Sequence, residues 1–531
     1  MSKSVFLPYE KTGMLNSLVK DYLNKENSTN SLYEHYPDVE GYKSLLSNPE
    51  LYRNFDRKAL VDELNLQSQL VSNTNQETIA NINLLSDNNS YTITTGHQLC
   101  LFTGPLFFIY KIATVIKTCE WLKTNFPEKN FIPVYWLASE DHDIEEINHV
   151  NIYSQQLKLA TDYSGPAGEM PTNDITELIL QIKELLGGSE STEHAIKIFE
   201  DAYSQKNLGL ATRCLVNELF GKYGLVIVDG NSLFFKKQTA KLFQIDCFED
   251  IIENALDKTI HYLKNKKYPI QITNRNGNCF LFENGNRYRI DKNENGFYIQ
   301  GLNKQFSKDE LNKIIESTPE KISPNVVLRP LYQQSILPNI SYVGGPGELS
   351  YWLEYLEIFK MLGIQFPILH FRQSITLVPA GVKKKIDKVN LDIDEIFENK
   401  DVLIKKVLAK HELNVDLTTE SEKITSLFNE LGSRLENIDT TLKPSVNAEM
   451  QKTLNSIKAL ETKANRAIKK QSENLTGSIE YIHSKIYPSG IMQERHDNFT
   501  MYLSFFEKDF VENLLDLIKA DNFQHLVLFE N

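Results

Sequence analysis

Short apolar runs alternate with longer amphipathic segments through the middle of the chain. The runs at 91–95, 131–138, 225–228, 340–343 and 366–371 are rich in β-branched and aromatic residues, and a helix-like pattern follows each of them. Strands that alternate with helices form βαβ units, and nearly continuous hydrophobicity is typical of strands buried on both faces of a parallel sheet. The pattern therefore predicts an α/β fold built on a parallel sheet.

Two long stretches, 151–215 and 245–325, separate the predicted strands. Neither is low in complexity, which favours folded insertions into the sheet domain over linkers. Within the second stretch, β-like pieces flank Asn284-Gly285, a pair that favours a hairpin turn. We therefore divide the chain as follows: 1–150, an N-terminal helical region and the first half of the core; 151–215, the first insertion; 216–244, core; 245–325, the second insertion; 326–379, the second half of the core; 380–480, a helical coiled-coil domain; 481–531, a segment that packs back on the core.

The coiled-coil prediction rests on apolar residues that recur at steps of three and four. They are Ile424, Phe428, Leu431, Leu435, Ile438, Leu442 and Val446, continued after a slip in phase by Met450, Leu454, Ile457, Leu460, Ala464 and Ile468. This spacing is close to a heptad seam. Pro444 interrupts it and predicts a kink or the corner of a helical hairpin. Two interpretations remain open: helices packed on their own domain, or a coiled-coil arm for self-association.

Composition restricts the class of protein. The 531 residues contain 41% hydrophobic and 24% charged residues, which is typical of a soluble globular chain of several domains. The net charge of −13 lacks the basic footprint of a nucleic-acid-binding protein. Five widely spaced cysteines without a C-x-x-C motif argue against a disulfide framework or a zinc ribbon and suit a reducing compartment. With no signal-peptide pattern and no apolar run long enough to span a bilayer, we expect a cytoplasmic protein without membrane contact.

The first candidate for chemistry is the string TTGHQLCLFTGPLFFIYK at 94–111. Gly96, His97 and Gln98 follow a predicted strand, and a helix is expected to begin near 103–105 with Thr103 as its N-cap. Free backbone N–H groups at a helix start favour an anion such as phosphate. His97 can donate a hydrogen bond to a phosphate or to a developing oxyanion. The alternative is a structural turn with a surface histidine.

The second candidate is a cluster of titratable residues directly after the strand at 131–138. Glu140, Asp141, His142 and Asp143 lie where ligands bind in open α/β sheets, at the carboxyl end of a strand. They can hold an ammonium group, act as a general base or bind Mg²⁺. The alternative is an acidic N-cap for the next helix.

The third candidate is the glycine-rich segment 344–348, which follows a strand and opens a helix. Gly344, Gly345 and Gly347 let backbone approach a ligand, and Glu348 follows them. The segment matches neither the dinucleotide fingerprint G-x-G-x-x-G nor a P-loop.

Flanking residues extend this third candidate. Arg329 can bind a carboxylate or phosphate in bidentate fashion, and Arg372 is predicted at the same sheet edge. Tyr351 and Trp352 either line an aromatic pocket or pack in the core.

A fourth, turn-rich string, YPSGIMQERHDN at 487–498, follows the predicted coiled coil. It favours a polar surface turn. The alternative is a second nucleotide pocket formed by Tyr487, Gln493 and Arg495.

Taken together, these strings resemble the bacillithiol biosynthesis cysteine-adding enzyme family (BshC) over nearly the whole chain. The strings are T-G-H-Q…L-F-T-G-P…Y-K at 95–111, P-V-Y-W-L-A-S-E-D-H-D-I-E-E-I-N at 133–148, N-V-V-L-R-P-L-Y-Q at 325–333, G-G-P-G-E-L-S-Y-W at 344–352 and P-S-G-I-M-Q-E-R at 488–495. The resemblance implies a Rossmann-like core akin to class I aminoacyl-tRNA synthetases, with two connective insertions and a helical coiled-coil domain used for homodimerisation. It also implies the last step of bacillithiol synthesis, which joins L-cysteine to glucosaminyl-malate through an amide bond.

Amide formation from a free carboxylate requires activation, so ATP or another nucleotide is expected as the activator and no metal is predicted. By this resemblance His97, Asp141, His142 and Asp143 are the expected catalytic residues. The expected substrate- and nucleotide-binding residues are Thr95, Gly96, Gln98, Thr103, Gly104, Glu140, Arg329, Gly344, Gly345, Gly347, Glu348, Tyr351, Trp352 and Arg372. Of these, Arg329 or Arg372 would bind the two malyl carboxylates.

Three other functions remain open from sequence. The first is a metal-dependent hydrolase that uses His97, Asp141, His142 and Asp143, and the second is a non-catalytic binding or scaffold protein. The third, by analogy of fold alone, is a tRNA ligase, although only Gly96-His97 remains of the synthetase signature H-x-G-H. The shared site makes one geometric prediction: His97, Asp141 and Gly345 face a common hollow.

Overall fold

The computed structural model describes residues 4–53, 55–294, 296–410, 415–505 and 509–530. The chain forms two compact units. The first comprises Met1–Leu377 and Ile491–Asn531, and the second is Val378–Gly490. Within the described ranges, no helix is both long and apolar enough to cross a membrane.

The strands of the first unit are, in chain order, β1 (Ser4–Leu7), β2 (Ser90–His97), β3 (Asn130–Leu137), β4 (His149–Ile152), β5 (Gln155–Lys158), β6 (Val226–Asp229), β7 (Cys279–Glu283), β8 (Asn286–Asn293), β9 (Gly296–Ile299), β10 (Lys304–Phe306), β11 (Ile322–Pro324), β12 (Asn339–Gly344), β13 (Ile368–Phe371), β14 (Ile375–Val378, whose last residue belongs to the second unit) and β15 (His525–Phe529).

The α-helices are α1 (Ser17–Leu23), α2 (Val39–Leu46), α3 (Arg57–Ser68), α4 (Gln76–Leu84), α5 (Phe107–Asn125), α6 (Ile144–Ile147), α7 (Ile175–Leu186), α8 (Glu190–Tyr203), α9 (Leu208–Phe220), α10 (Leu233–Gln238), α11 (Ala240–Phe248), α12 (Ile251–Lys266), α13 (Lys308–Ser317), α14 (Leu328–Ile336), α15 (Pro346–Trp352), α16 (Leu356–Leu362), α17 (Ala380–Lys388), α18 (Lys400–Lys410), α19 (Thr418–Glu436), α20 (Leu442–Ile486) and α21 (Phe510–Leu517).

The five predicted apolar runs form one parallel sheet. Its strand order is β13-β12-β2-β3-β6, and each neighbouring pair is parallel. Numbered along the chain, this is the order 5-4-1-2-3 of a Rossmann-like core, so the α/β prediction is confirmed. The order reverses between β2 and β12. Ligands of open α/β sheets bind at such a switch point, beyond the carboxyl ends of the strands.

Both faces of the central sheet are covered, as its continuous hydrophobicity predicts. Along β3, Tyr135 and Leu137 join one buried cluster, which also contains apolar residues of α5. The intervening Val134 and Trp136 join a second cluster with residues of α14 and α15. Successive side chains of a strand point to opposite faces, so a single apolar run supplies two cores.

The second insertion forms its own antiparallel sheet, in the order β10-β9-β8-β7-β11. The predicted hairpin is present: β7 and β8 are joined by Asn284 (φ +52°) and Gly285 (φ +77°), two positive angles that suit asparagine and glycine. The last strand, β11, is followed by α14 after a few residues. Helix α14 then packs on one face of the central sheet, where the Tyr332 ring lies 5.7 Å from that of Trp136 on β3.

A third, smaller sheet joins the two ends of the first unit. β1 pairs with β15 in antiparallel register, with Ser4 opposite Leu528, and β15 also neighbours β14. Residues 491–531 thus share the unit of the Rossmann-like core.

In the second unit, α19 and α20 form a helical hairpin. A Cβ at Gly432 would lie 3.7 Å from Val446, and the Val415 backbone exchanges hydrogen bonds with Asn465, so the two helices run antiparallel. Pro444 is the third residue of α20, where a missing N–H leaves no intrahelical bond unmade. It marks the corner of the hairpin and no kink. The 45 residues of α20 extend about 67 Å.

Candidate active site

A cleft of about 580 Å³ lies at the switch point of the central sheet. It confirms the geometric prediction, because His97, Asp141 and Gly345 all line it. The charged residues that surround the cleft come from both halves of the sheet, the second insertion and the C-terminal segment: Lys111, Glu140, Asp141, Arg287, Arg329, Glu348, Arg372 and Arg495. Of the remaining predicted residues, Gly96, Gln98, Gly347 and Tyr351 also line the cleft.

His97 ends β2 with its ring enclosed by aromatic neighbours. The rings of Phe107 and Phe108 lie at centroid distances of 4.9 and 5.3 Å. Burial, reinforced by the positive charge of Lys111, lowers the pKa of His97 to about 3. The Cys100 sulfur is 3.7 Å from His97 Nε2, but burial raises the pKa of this thiol to about 12. At neutral pH the pair is therefore an uncharged imidazole and a protonated thiol.

Lys111 and Glu348 form an ion pair that spans the switch point. Lys111 Nζ, 2% exposed, lies 2.9 Å from the Glu348 carboxylate and donates to the carbonyl oxygen of Gly96. Glu348 also accepts from the Tyr342 hydroxyl (2.7 Å) and the Gly345 N–H (3.1 Å). Burial opposes the charge of Glu348, but Lys111 and these donors hold its pKa at about 2. The pair fixes the ends of β2 and β12 relative to each other.

Asp141 presents a carboxylate that its surroundings hold in place. One oxygen accepts from Gln98 Nε2 at 2.8 Å, and the other accepts from the backbone N–H of His142, also at 2.8 Å. Gln98 donates in addition to Glu146. The carboxylate therefore faces the cleft in a fixed orientation.

The other members of the titratable cluster at 140–143 differ in position: one lines the cleft and two lie outside it. Glu140 lines the cleft, but its carboxylate is 2.6 Å from the buried Lys236. His142 and Asp143 lie outside the lining. The His142 Nδ1 is 3.2 Å from an Arg287 nitrogen, and burial together with that guanidinium lowers the pKa of His142. Asp143 is exposed and occupies the N-cap position of α6.

Three arginines carry positive charge into the cleft without a carboxylate partner in the described part of the chain. Arg329, on α14, donates to the Gln333 side chain at 3.0 Å. Arg287, on β8, donates to the Ser323 hydroxyl and the Pro324 carbonyl and stacks on the Phe280 ring at 4.1 Å. Arg495 lies 5.7 Å from the centroid of Phe107. The cleft is therefore suited to an anionic ligand.

Arg372 differs from these three arginines. Its guanidinium forms two hydrogen bonds, of 3.0 and 2.6 Å, with the Glu494 carboxylate, and both side chains are essentially fully buried. The prediction of a surface turn at 487–498 is wrong at this point, because Glu494 is a buried counter-ion. Arg372 lines the cleft with its charge already matched. The close approach of Arg372 also explains why position 345 is a glycine: a Cβ there would lie 3.1 Å from Arg372 Nε.

The predicted start of α5 is wrong. The helix begins at Phe107, and Leu106 occupies the N-cap position. Thr103 and Gly104 form a buried turn with φ angles of +69° and +62°, held by Asn498, which donates to the carbonyls of Phe102 and Gly104. Neither residue lines the cleft, so this turn offers no anion site at a helix start.

Five further predicted residues lie outside the cleft lining. Thr95 donates to the Val343 carbonyl, Gly344 ends β12, and Trp352 packs in the core at 4.5 Å from the Tyr342 ring. Gln493 is buried and exchanges hydrogen bonds with the Leu377 backbone, and Tyr487 donates to the Phe397 carbonyl within the second unit. Of the three residues proposed for a second nucleotide pocket, only Arg495 lines the cleft described here.

Sequence reasoning missed several polar residues of the site, among them Lys111, Arg287 and Asn325. Lys111 could have been predicted from the sequence, because it ends the string at 94–111 and lies about one turn into the helix that follows the first candidate motif. No sequence signal pointed to Arg287, because the hairpin that carries this residue reaches the cleft only through the tertiary fold. Among the described residues, the ligand atoms of His97, Asp141, His142 and Asp143 do not group as metal ligands do.

The strand order and the cleft at its reversal point define the class of protein: a Rossmann-like α/β protein with an arginine-lined cleft at the switch point of its sheet. Comparison with known families agrees. The model described as "Bacillithiol biosynthesis BshC, N-terminal Rossmann-like domain" matches residues 3–373, and "Bacillithiol biosynthesis BshC, C-terminal coiled-coil domain" matches residues 375–530. The chain belongs to the bacillithiol biosynthesis BshC family.

Curated relatives carry the name "Putative cysteine ligase BshC". The protein of Flavobacterium psychrophilum is 38% identical over 504 residues, 93% of each chain, and that of Flavobacterium johnsoniae is 35% identical over 97% of each chain. A solved structure titled as a putative arginyl-tRNA synthetase of Campylobacter jejuni covers 85% of this chain and 100% of its own at 13% identity. Its TM-score is 0.22, too low to support an argument.

Proposed function

We propose that this chain is a carbon–nitrogen ligase that joins the carboxyl group of L-cysteine to the amine of glucosaminyl-malate, completing bacillithiol. Membership of the family and the names of its curated relatives support a cysteine ligase.

The charge balance of the cleft is the main structural support for this proposed ligase function. Lys111 and Arg372 in the lining, and Lys236 behind Glu140, are matched by carboxylates. Within the part of the chain that the structure describes, Arg287, Arg329 and Arg495 form no ion pair with a carboxylate. Guanidinium groups bind carboxylates and phosphates through paired hydrogen bonds. Three of them suit a substrate with two malyl carboxylates together with an activated, phosphate-bearing carboxyl group.

The remaining polar groups fit the chemistry of amide formation. With ATP as the nucleotide, the cysteine carboxylate would attack the α-phosphorus and release pyrophosphate, which gives an acyl-adenylate, or attack the γ-phosphorus and release ADP, which gives an acyl-phosphate. The sugar amine would then attack the acyl carbon, expel the phosphate-bearing group and lose a proton. Asp141 is placed to orient the ammonium group or take that proton, and the neutral His97 can donate a hydrogen bond to the developing oxyanion.

The test is an assay with pure protein, L-cysteine, glucosaminyl-malate and ATP, analysed by mass spectrometry for bacillithiol and for AMP against ADP. AMP indicates an adenylate and ADP an acyl-phosphate. His97→Ala and Asp141→Ala are expected to lose at least about 100-fold in rate, and cells carrying them to accumulate glucosaminyl-malate. Asp143→Ala is the matched control, because Asp143 lies outside the cleft. Absence of product with every nucleoside triphosphate would refute the proposal.

We also propose that the second unit mediates homodimerisation. Leu427, Ile438 and Leu460 are large apolar residues of the hairpin with 56%, 77% and 58% of their surface exposed. Light scattering should give twice the monomer mass for the full chain. Leu427→Glu together with Leu460→Glu should shift it towards the monomer, and a monomeric native chain would contradict the expectation.

A further inference from the structure

Asp246, Cys247 and Cys279 bring three metal-binding side chains together in the second insertion, apart from the residues that line the cleft. One carboxylate oxygen and the two sulfur atoms lie within 4.8 Å of one another, and all three residues are buried. Asp246 and Cys247 are neighbours on α11, whereas Cys279 begins β7. The fold, and not sequence proximity, therefore creates this cluster.

The spacing of the cluster is close to that of a bound metal ion. Ligand atoms around a tetrahedral zinc ion are roughly 3.3–3.8 Å apart, as follows from zinc–sulfur and zinc–oxygen bonds of about 2.3 and 2.0 Å. Three atoms within 4.8 Å need shifts of about 1 Å or less to reach that arrangement. Thiolates and imidazoles select zinc and related ions, whereas Mg²⁺ and Ca²⁺ prefer oxygen ligands.

The hydrogen bonds of Asp246 support the same interpretation. Its two oxygens accept from the backbone N–H of Asn278 at 2.7 Å and from the Asn278 side chain at 2.8 Å. The carboxylate also interacts with the side chain of Cys279, the third member of the cluster. Among the described residues Asp246 makes no ion pair, and Arg289, the cation that acts on it, is itself paired with Asp291 at 2.8 Å. A buried carboxylate is stabilised by a paired cation or a coordinated metal.

We propose that Asp246, Cys247 and Cys279 bind one thiophilic divalent cation, with zinc as the first candidate. On binding, each thiol releases one proton and becomes a thiolate. The two thiolates and the carboxylate then give the complex a net charge of −1. The cation changes no oxidation state, and no further reactant is needed.

A small cavity adjoins the cluster at Asp246, although neither Cys247 nor Cys279 lines it. Its volume of about 10 Å³ is close to that of a single water. The wall of the cavity contains four carboxylates, Asp246, Glu249, Asp250 and Glu253, and two cations, Arg275 and Lys292. Lys292 is paired with Asp250 at 2.5 Å.

The proposed ion would have a structural role. Asn278, which donates to Asp246, also accepts from the Asn325 side chain at 2.8 Å. Asn325 lines the cleft and accepts from the backbone N–H groups of Val327 and Leu328 at the start of α14. A cation at Asp246 would stabilise the wall of the cleft through Asn278 and Asn325. It would not contact the substrate.

The experiment measures metal content of the full-length chain, purified without chelator and then loaded with Zn²⁺ or Co²⁺. We expect about one zinc per chain by mass spectrometry of the metal, and a thiolate-to-cobalt charge-transfer band in the near ultraviolet with Co²⁺. The double variant Cys247→Ser with Cys279→Ser should abolish the charge-transfer band. Asp246→Asn should weaken binding of the metal ion at least about tenfold. Cys214→Ser, a change of a buried cysteine elsewhere, should leave both unchanged.

Two results would overturn the proposal: a wild-type chain with neither bound zinc nor a cobalt band after loading, or a band that survives both cysteine substitutions. If the variants fail to fold, the wild-type band alone decides, since it reports thiolate ligation directly. Neither measurement uses the ligase assay, so this proposal and the proposed function can fail separately.

Discussion

At the scale of single residues, the cleft is a balance of charges that the sequence shows only in part. His97 and Asp141 could be predicted because they directly follow strands whose hydrophobicity is unmistakable. The role of Arg372 could not, because its partner Glu494 lies 122 positions further along the chain. Lys236 pairs with Glu140 across a comparable distance in sequence. Which charges remain available to a ligand is therefore decided by tertiary contacts.

Lys111→Met should destabilise the protein by about 3–5 kcal/mol, because it leaves the Glu348 carboxylate without its buried counter-ion. Urea unfolding would measure the loss. The double variant Lys111→Met with Glu348→Gln should recover most of this stability without recovering ligase activity. A single variant as stable as the wild type would show that the pair does not hold the cleft together.

Arg329→Gln should raise KM for the anionic substrate by about 10- to 100-fold, the loss of one charge-assisted hydrogen-bonding group, with little change in folding stability. Steady-state kinetics with glucosaminyl-malate varied would measure it. Arg53→Gln, an exposed arginine paired with Glu50, serves as the control. An unchanged KM would remove Arg329 from the substrate site.

At the scale of elements, strands were predicted more reliably than helix starts. The five core strands were recognised from local hydrophobicity, and the hairpin at Asn284-Gly285 from its turn chemistry. The start of α5 was misplaced because Thr103 and Pro105 have the local pattern of a cap, while Asn498 holds this turn in another conformation. A contact across almost 400 positions outweighed a local preference of about 1 kcal/mol.

Asn325→Ala should cost about 1–2 kcal/mol of stability, because it removes the side-chain acceptor at the start of α14. It should also raise KM, since α14 carries Arg329. Asn207→Ala, which removes the N-cap of α9 by the same chemistry, should cost similar stability and leave KM unchanged. Equal KM values in both variants would argue against a positioning role for Asn325.

At the scale of the whole molecule, burial of histidines makes the stability of the first unit depend on pH. His370 and His525 are 1% and 0% exposed, and burial lowers the pKa of each to about 4. In the unfolded chain a histidine binds a proton below about pH 6.5. Between pH 6.5 and 4 the unfolded state therefore binds more protons, and stability falls as the pH falls.

Each of these two histidines should remove about 1.4 kcal/mol of unfolding free energy per pH unit below 6.5. Urea unfolding at pH 7.0 and 5.5 would measure the difference. Because the buried His97, with a pKa of about 3, contributes in the same way, His525→Gln should reduce the difference by about one third, whereas the exposed His194→Gln should not. A difference unaffected by His525→Gln would mean that other groups dominate acid unfolding.

The pairing of β1 with β15, and of Arg372 with Glu494, has a consequence for how the protein is made in the cell. A chain emerging from the ribosome completes the strands of the central sheet by residue 371, but the counter-ion of Arg372 arrives more than one hundred residues later. Until then Arg372, which is buried in the folded protein, lacks its counter-ion, and the cleft lacks the residues that the C-terminal segment contributes. Premature termination before Glu494 should therefore yield an inactive product that quality-control proteases can recognise.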